Sequence, residues 1–186
     1  MKRFVLFLFA SFLLSAVLLS IPASGPAKLP GFLSTGNPFL IVVLWTLGFA
    51  LTAFIFGLVS SDYSWVDRLW STLPVAFVWF YAWRGSFSLP LVLAALVLSL
   101  WGARLTFNFA RKGGYSGIED YRWPILNKKI NNPFLWQLFN LGFICLYQTG
   151  LFILFTSPMY LMLSFSAETV SPFFIAFLFL ILLAVL

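Results

Sequence analysis

Residues 38–59 read PFLIVVLWTLGFALTAFIFGLV, an apolar run without one charged side chain. At about 1.5 Å of rise per residue a helix of this length covers about 33 Å, enough for a hydrocarbon core of about 30 Å. Backbone polar groups in lipid must be satisfied within their own segment, so the run is a helix. Five further apolar stretches surround it: Phe4–Ile21, Trp65–Trp83, Leu89–Ala103, Phe134–Ser157 and Pro172–Leu186. Hydrophobic residues make up 62 % of the chain and charged ones 9 %, a composition no soluble core accommodates. The expected fold is all-α, a multi-pass transmembrane helical bundle of about six hydrophobic segments forming a single membrane domain over residues 1–186. Pro172–Leu186 would reach only about 22 Å, so it reads as an incomplete last span and the chain as the N-terminal portion of something longer. Lys2 and Arg3 before the first stretch and Ala23-Ser24-Gly25 after it also fit a signal peptide. The length of its apolar part and Pro26 favour an uncleaved first span.

Charge sets the expected orientation. The N-terminus, the 60–64 loop and the 104–133 loop fall on one side with 9 Lys/Arg, while Lys28 and Arg84 give the other side 2. The positive-inside rule makes the N-terminus and the 104–133 loop cytoplasmic. The net charge of +6 is thus a topology signal, and nucleic acid is not expected as a partner. Asn37-Pro38, Asn132-Pro133 and Ser171-Pro172 each place an N-cap residue before a proline at the first helical position.

The chain has no histidine and one cysteine, Cys145. That excludes histidine-dependent triads and His-ligated haem, and no metal site with recognisable ligand spacing remains. Gly113-Gly114-Tyr115-Ser116-Gly117 lacks the strand and lysine of a phosphate loop.

Three polar constellations are candidates for a site. Asp62–Ser71 opens the third apolar stretch, where Ser64 and Asp67 fit a capping box and Asp67 and Ser71 share a helix face. An ion-pairing role for Asp67 and Arg68 is the plain alternative. Trp101, Arg104, Asn108 and Arg111 form one helical stripe, placing Arg104 where it must snorkel, pair with an acid such as Asp67, or meet an anionic group. Ser116 and Glu119 in the loop beyond fit a second capping box, for a short interfacial helix. Gln137, Asn140, Tyr147 and Gln148 lie within about a third of the next helix's circumference. Such a stripe faces other helices, through interhelical hydrogen bonds or as a substrate wall.

DYSWVDRLWS at 62–71, LWGARLTFNFARKGGYSGIEDYRWPIL at 100–126 and FICLYQTGLFILFTSP at 143–158 together resemble the membrane family catalogued as domain of unknown function 1295, in the steroid 5-alpha-reductase-like group. The resemblance covers about residues 38–165. It implies a helical membrane fold with a cytoplasmic pocket. It also implies NADPH-dependent reduction of a lipid or sterol-like enone; more distant relatives are methyltransferases. On that resemblance Asp62, Tyr63 and Asp67 would be catalytic, and Arg104, Arg111, Glu119, Asp120, Tyr121 and Arg122 would bind the cofactor. Gln137, Asn140, Tyr147 and Gln148 would line the substrate pocket. The family holds most cofactor contacts in a C-terminal half with no counterpart here, so an incomplete NADPH site is expected and catalysis stays open. The resemblance favours a bacterial inner membrane over the endoplasmic reticulum.

Two readings make different forecasts. A reductase-like enzyme requires the 101–111 and 137–148 stripes to face one cavity. A non-catalytic protein binding lipid or a partner helix requires those stripes to satisfy one another, with no cavity reaching the 104–123 loop. A transporter is a weaker third reading, because matched interrupted helices are missing.

Overall fold

The computed structural model describes residues 2–20, 36–164 and 170–185, and its elements are helical. They are α1 (Lys2–Ser20), α2 (Pro38–Ser60), a 3-10 turn (Asp67–Leu69), α3 (Leu73–Arg84), α4 (Leu89–Arg111), α5 (Arg122–Ile130), α6 (Pro133–Phe139), a π-helical segment (Asn140–Tyr147), α7 (Gln148–Ser164) and α8 (Pro172–Val185). Three helices among the described residues are long and apolar enough to cross a membrane: Pro38–Ser60, Leu89–Arg111 and the continuous Pro133–Leu163. The residues around Ala23-Ser24-Gly25 lie outside the described ones.

The three helix starts behave as their sequences require. Asn37 Oδ1 accepts the Phe39 N–H at 2.9 Å, Asn132 Oδ1 the Leu135 N–H at 3.1 Å, and Ser171 Oγ the Phe174 N–H at 3.2 Å. The expected third span does not form as one helix. Residues 61–72 fold into irregular backbone around the 3-10 turn, and only Leu73–Arg84 is α-helical. This removes the conflict of Asp67 and Arg68 inside a lipid-facing helix, because irregular backbone is tolerated where protein covers it. Ser64, Trp65, Val66, Arg68 and Leu69 are all buried. Helix α4 runs to Arg111, so the stripe of Trp101, Arg104, Asn108 and Arg111 is helical as its spacing requires. One boundary moves: the short helix before the next span starts at Arg122 rather than behind Ser116.

Helix α1 packs on α2, α2 on the π segment and α7, α3 on α4 and α7, and α4 on α8. Small residues let α1 and α2 approach closely: Ser15 faces Gly48, and its hydroxyl lies 3.3 Å from the Trp45 carbonyl. The core runs through Phe7, Phe49, Phe77, Tyr81, Trp136 and Phe152, all buried. Lys2, Arg3 and Arg68 gather at the Ser60 end of α2. Arg84 bonds the Gly36 carbonyl at 3.2 Å, beyond the opposite end of α2.

Candidate functional site

Asp62–Ser71 is the hub of the structure. Asp62 Oδ1 accepts the Ser64 N–H at 3.0 Å, turning the chain locally. The Arg68 N–H meets the Ser64 carbonyl at 3.3 Å, and the Leu69 N–H meets that of Val66 at 2.9 Å. This winding sends Arg68 and Asp67 in different directions. Arg68, 3 % exposed, pairs through Nη2 with Asp62 Oδ2 at 2.7 Å and donates from Nε to the Gly114 carbonyl at 2.9 Å. Its guanidinium lies 4.7 Å from the Trp65 ring centre.

The loop after α4 docks on this hub. Gly113 takes a φ of +81°, a left-handed conformation that favours glycine, and so turns the chain off α4. Glu119 Oε1 then accepts the Tyr63 N–H at 2.8 Å, and Ser64 Oγ accepts the Asp120 N–H at 2.8 Å. Glu119 thus bonds across to the other loop instead of capping behind Ser116, while Ser64 keeps a side-chain hydrogen bond to Asp67 as well as accepting from Asp120. Glu119 and Ser64 find tertiary donors because the backbone beside them is not helical.

Asp67 has its own partners. Trp123 Nε1 donates to its Oδ2 at 2.7 Å, and Arg122 Nη2 approaches Oδ1 at 3.5 Å. Arg122, not Arg104, is the cation beside Asp67. Burial raises the Asp67 carboxyl above its ordinary range, and the Trp123 hydrogen bond and Arg122 only partly offset this. Glu119 is also raised by burial, against the Tyr63 hydrogen bond. Asp120 suffers burial too, yet its hydrogen bonds from Arg122 hold it below the ordinary range.

A groove of about 480 Å³ opens beside Asp67, between α4 and the π segment. Asp67, Asp120, Arg122 and Trp123 form one wall, Leu105 and Phe109 of α4 a second, and Phe143, Tyr147, Gln148 and Leu151 a third, with Trp70 and Ser71 also lining it. Phe139, Phe143 and Tyr147 stack in sequence along the helix, with ring centres 5.0 and 5.3 Å apart. The π-helical winding carries this aromatic row beside Gln148, whose Oε1 accepts from Trp70 Nε1 at 2.9 Å. π-helical segments are frequent at functional sites.

The expected site residues divide among different places. Asp67, Asp120, Arg122, Tyr147 and Gln148 line the groove. Asp62 and Glu119 line a separate polar cavity of about 690 Å³. Tyr63 lines neither; its hydroxyl accepts from Gln137 Nε2 at 3.2 Å, and Asn140 Nδ2 donates to Gln137 Oε1 at 3.1 Å. Arg104, Arg111 and Tyr121 are exposed and also line neither cavity. Of the 101–111 helix, Leu105 and Phe109 face the groove instead of the polar stripe. Leu105, Phe109, Trp123 and Phe143 were missed, because an apolar side chain facing a groove has the same sequence signature as one facing lipid.

The six residues expected to hold NADPH do not form one site. They are dispersed, Arg122 is already paired with Asp120, and Glu119 and Asp120 would repel phosphates. Of the six, only Asp120 and Arg122 line the groove.

The profile described as Protein of unknown function (DUF1295) matches residues 37–186. The chain belongs to this family. A Schizosaccharomyces pombe protein described as uncharacterized protein C594.04c is 35 % identical over 145 residues, covering 74 % of this chain. The matched part is 41 % of that relative's length, so the chain spans well under two thirds of it. No solved structure matches.

Proposed function

We propose that this DUF1295 protein is an integral membrane protein whose groove binds a lipid or sterol-like enone for reductase-like chemistry. One observation carries the reading: a buried carboxyl, Asp67, raised above its ordinary range, stands at the polar end of a groove walled mainly by aromatic and aliphatic side chains. Such a group keeps its proton closer to neutral pH than an ordinary aspartate. In that state it can donate a hydrogen bond to a carbonyl or deliver a proton. Trp123 and Arg122 hold it at the groove wall, and the Phe143–Tyr147 pair offers a flat apolar face.

The reductase class and NADPH rest on the likeness of the three motifs to the steroid 5-alpha-reductase-like group, and no step here runs through the cofactor. Positive-inside charge supports a cytoplasmic groove mouth, N-terminus and 104–133 segment, with a bacterial inner membrane as the setting. A second reading, a non-catalytic lipid-binding bundle, is favoured by Gln137, Asn140 and Tyr63, which satisfy one another. The groove supports the first reading by reaching Asp120, Arg122 and Trp123 and by meeting Tyr147 and Gln148, although the 101–111 polar stripe does not face it.

The test is titration of the full chain in nanodiscs with a steroid 4-en-3-one and its saturated alcohol, read by quenching of tryptophan fluorescence and by NADPH consumption. Enone binding that Asp67→Ala weakens at least tenfold, with consumption of NADPH, supports the reading. Binding without consumption moves the protein to the non-catalytic class. Absence of enone binding refutes the groove as the site.

A further inference from the structure

The largest cavity described above takes no part in the proposed reaction. It measures about 690 Å³ and is lined by Lys2, Arg3, Arg68, Asp62, Glu119 and the Ser60–Ser61 end of α2, with Tyr115 and Ser116 among the others. An adjoining groove of about 420 Å³ runs between α1 and α2 along Leu6, Ile55, Phe56 and Val59. The two share Arg3, Ser60 and Trp65 as lining residues. A polar chamber therefore adjoins an apolar trough.

We propose that chamber and trough together bind one phospholipid with a zwitterionic headgroup, its phosphate toward Lys2 and Arg3, its ammonium toward Glu119, and one acyl chain in the trough. Depth supports this. Helix α2 is 23 residues long, about 34 Å at 1.5 Å per residue, so its Ser60 end lies where headgroups lie when the helix crosses the bilayer. Charge supports it too. Asp62 is neutralised locally by Arg68 and the Ser64 N–H, which leaves Lys2 and Arg3 against Glu119 as the charges facing a ligand. Lys2 and Arg3 suit a phosphate, and Glu119 offers an ammonium a partner that a plain anion would leave unused. The Arg68 charge is balanced by Asp62, yet among the described residues its buried Nη1 has no hydrogen-bond acceptor and is a donor left for a phosphate oxygen. The trough distinguishes a lipid from a soluble phosphate, since Ile55 and Val59 are exposed apolar side chains beside Arg3.

Native mass spectrometry and titration of the full chain in detergent test the proposal with four probes: short-chain phosphatidylethanolamine, phosphatidylglycerol of equal chain length, phosphoethanolamine without acyl chains, and inorganic phosphate. Phosphatidylethanolamine should bind at least tenfold more tightly than any other probe. Lys2→Ala with Arg3→Ala should weaken both lipids about tenfold, the effect of losing a charge-assisted contact. Glu119→Gln should weaken phosphatidylethanolamine alone; it keeps an acceptor for the Tyr63 N–H, and residue 119 does not line the Asp67 groove. Equal binding of the two lipids, or no effect of Glu119→Gln at unchanged thermal stability, overturns the zwitterion assignment. Binding of phosphoethanolamine or inorganic phosphate as tightly as the lipid overturns the role of the trough. Enone binding in the Asp67 groove is read separately, so either site can fail without the other.

Discussion

Replacing Arg68 by methionine should be among the most damaging single changes outside the apolar core. The side chain is 3 % exposed, and it holds Asp62 at 2.7 Å and the Gly114 carbonyl at 2.9 Å. Methionine keeps much of the apolar bulk but leaves the Gly114 carbonyl without its donor, a loss of about 1–3 kcal/mol. It also strands Asp62, whose side chain is 20 % exposed and still accepts from Ser64. That exposure reduces the roughly 3–5 kcal/mol seen when one partner of a fully buried pair is removed. The stacking on Trp65 contributes about 0.5–1 kcal/mol more. Together the loss should be about 3–5 kcal/mol. The assay is equilibrium unfolding in mixed micelles by denaturing detergent, followed by tryptophan fluorescence, for Arg68→Met, Asp62→Asn and the double variant. The double variant should recover part of the loss, because no uncompensated carboxylate remains. A loss below about 1 kcal/mol for Arg68→Met, or a double variant as unstable as the sum of the singles, would refute the argument that this ion pair ties the hub to the 113–119 loop.

Asp67→Asn should flatten the pH dependence of stability. A folded pKa raised above the ordinary 3.8 means that the native state holds its proton longer. Stability from this group is then greatest in acid, falls as pH rises through the window between the unfolded and folded values, and is flat above it. Asparagine can still accept from Trp123, so it should match or exceed the parent near neutral pH in the same unfolding assay. An unchanged acid-to-neutral slope would count against a buried acid. Trp123→Phe removes the donor that lowers the Asp67 carboxyl, so its pKa should move further up, as read by the carboxyl's infrared titration. Gly102→Ala should destabilise by about 1–3 kcal/mol, because an added Cβ would lie 2.7 Å from the Ser71 carbonyl oxygen and 2.6 Å from Val75 Cγ2. Gly150→Ala, with nothing within 4 Å of the added atom, should be neutral or mildly stabilising in a thermal unfolding comparison.

Much of this protein was legible in the order of its residues. Periodic signals survive translation into structure when their cause is local. The Asn37, Asn132 and Ser171 caps need only neighbouring N–H groups, and the long apolar helices need only a solvent that forbids unpaired backbone. The DUF1295 likeness also came from contiguous motifs. The third apolar stretch was misread because hydropathy records how apolar a segment is, not which surroundings will cover it. Trp65–Trp83 is apolar enough for one helix, yet its first part gains more from burying Arg68 against Asp62 and Gly114 than from continuing a helical ladder. That choice depends on a loop 46 residues away in the chain. The site shows the same division. Asp67 stood out as an ionisable residue in an apolar context, while its partners Trp123 and Arg122, and the walls supplied by Leu105, Phe109 and Phe143, emerged only with helix packing. Composition and local pattern determined a helical membrane-type chain. The tertiary structure alone decided which acids are buried, which are paired and which face a groove, because desolvation and pairing energies depend on neighbours brought together from distant parts of the chain.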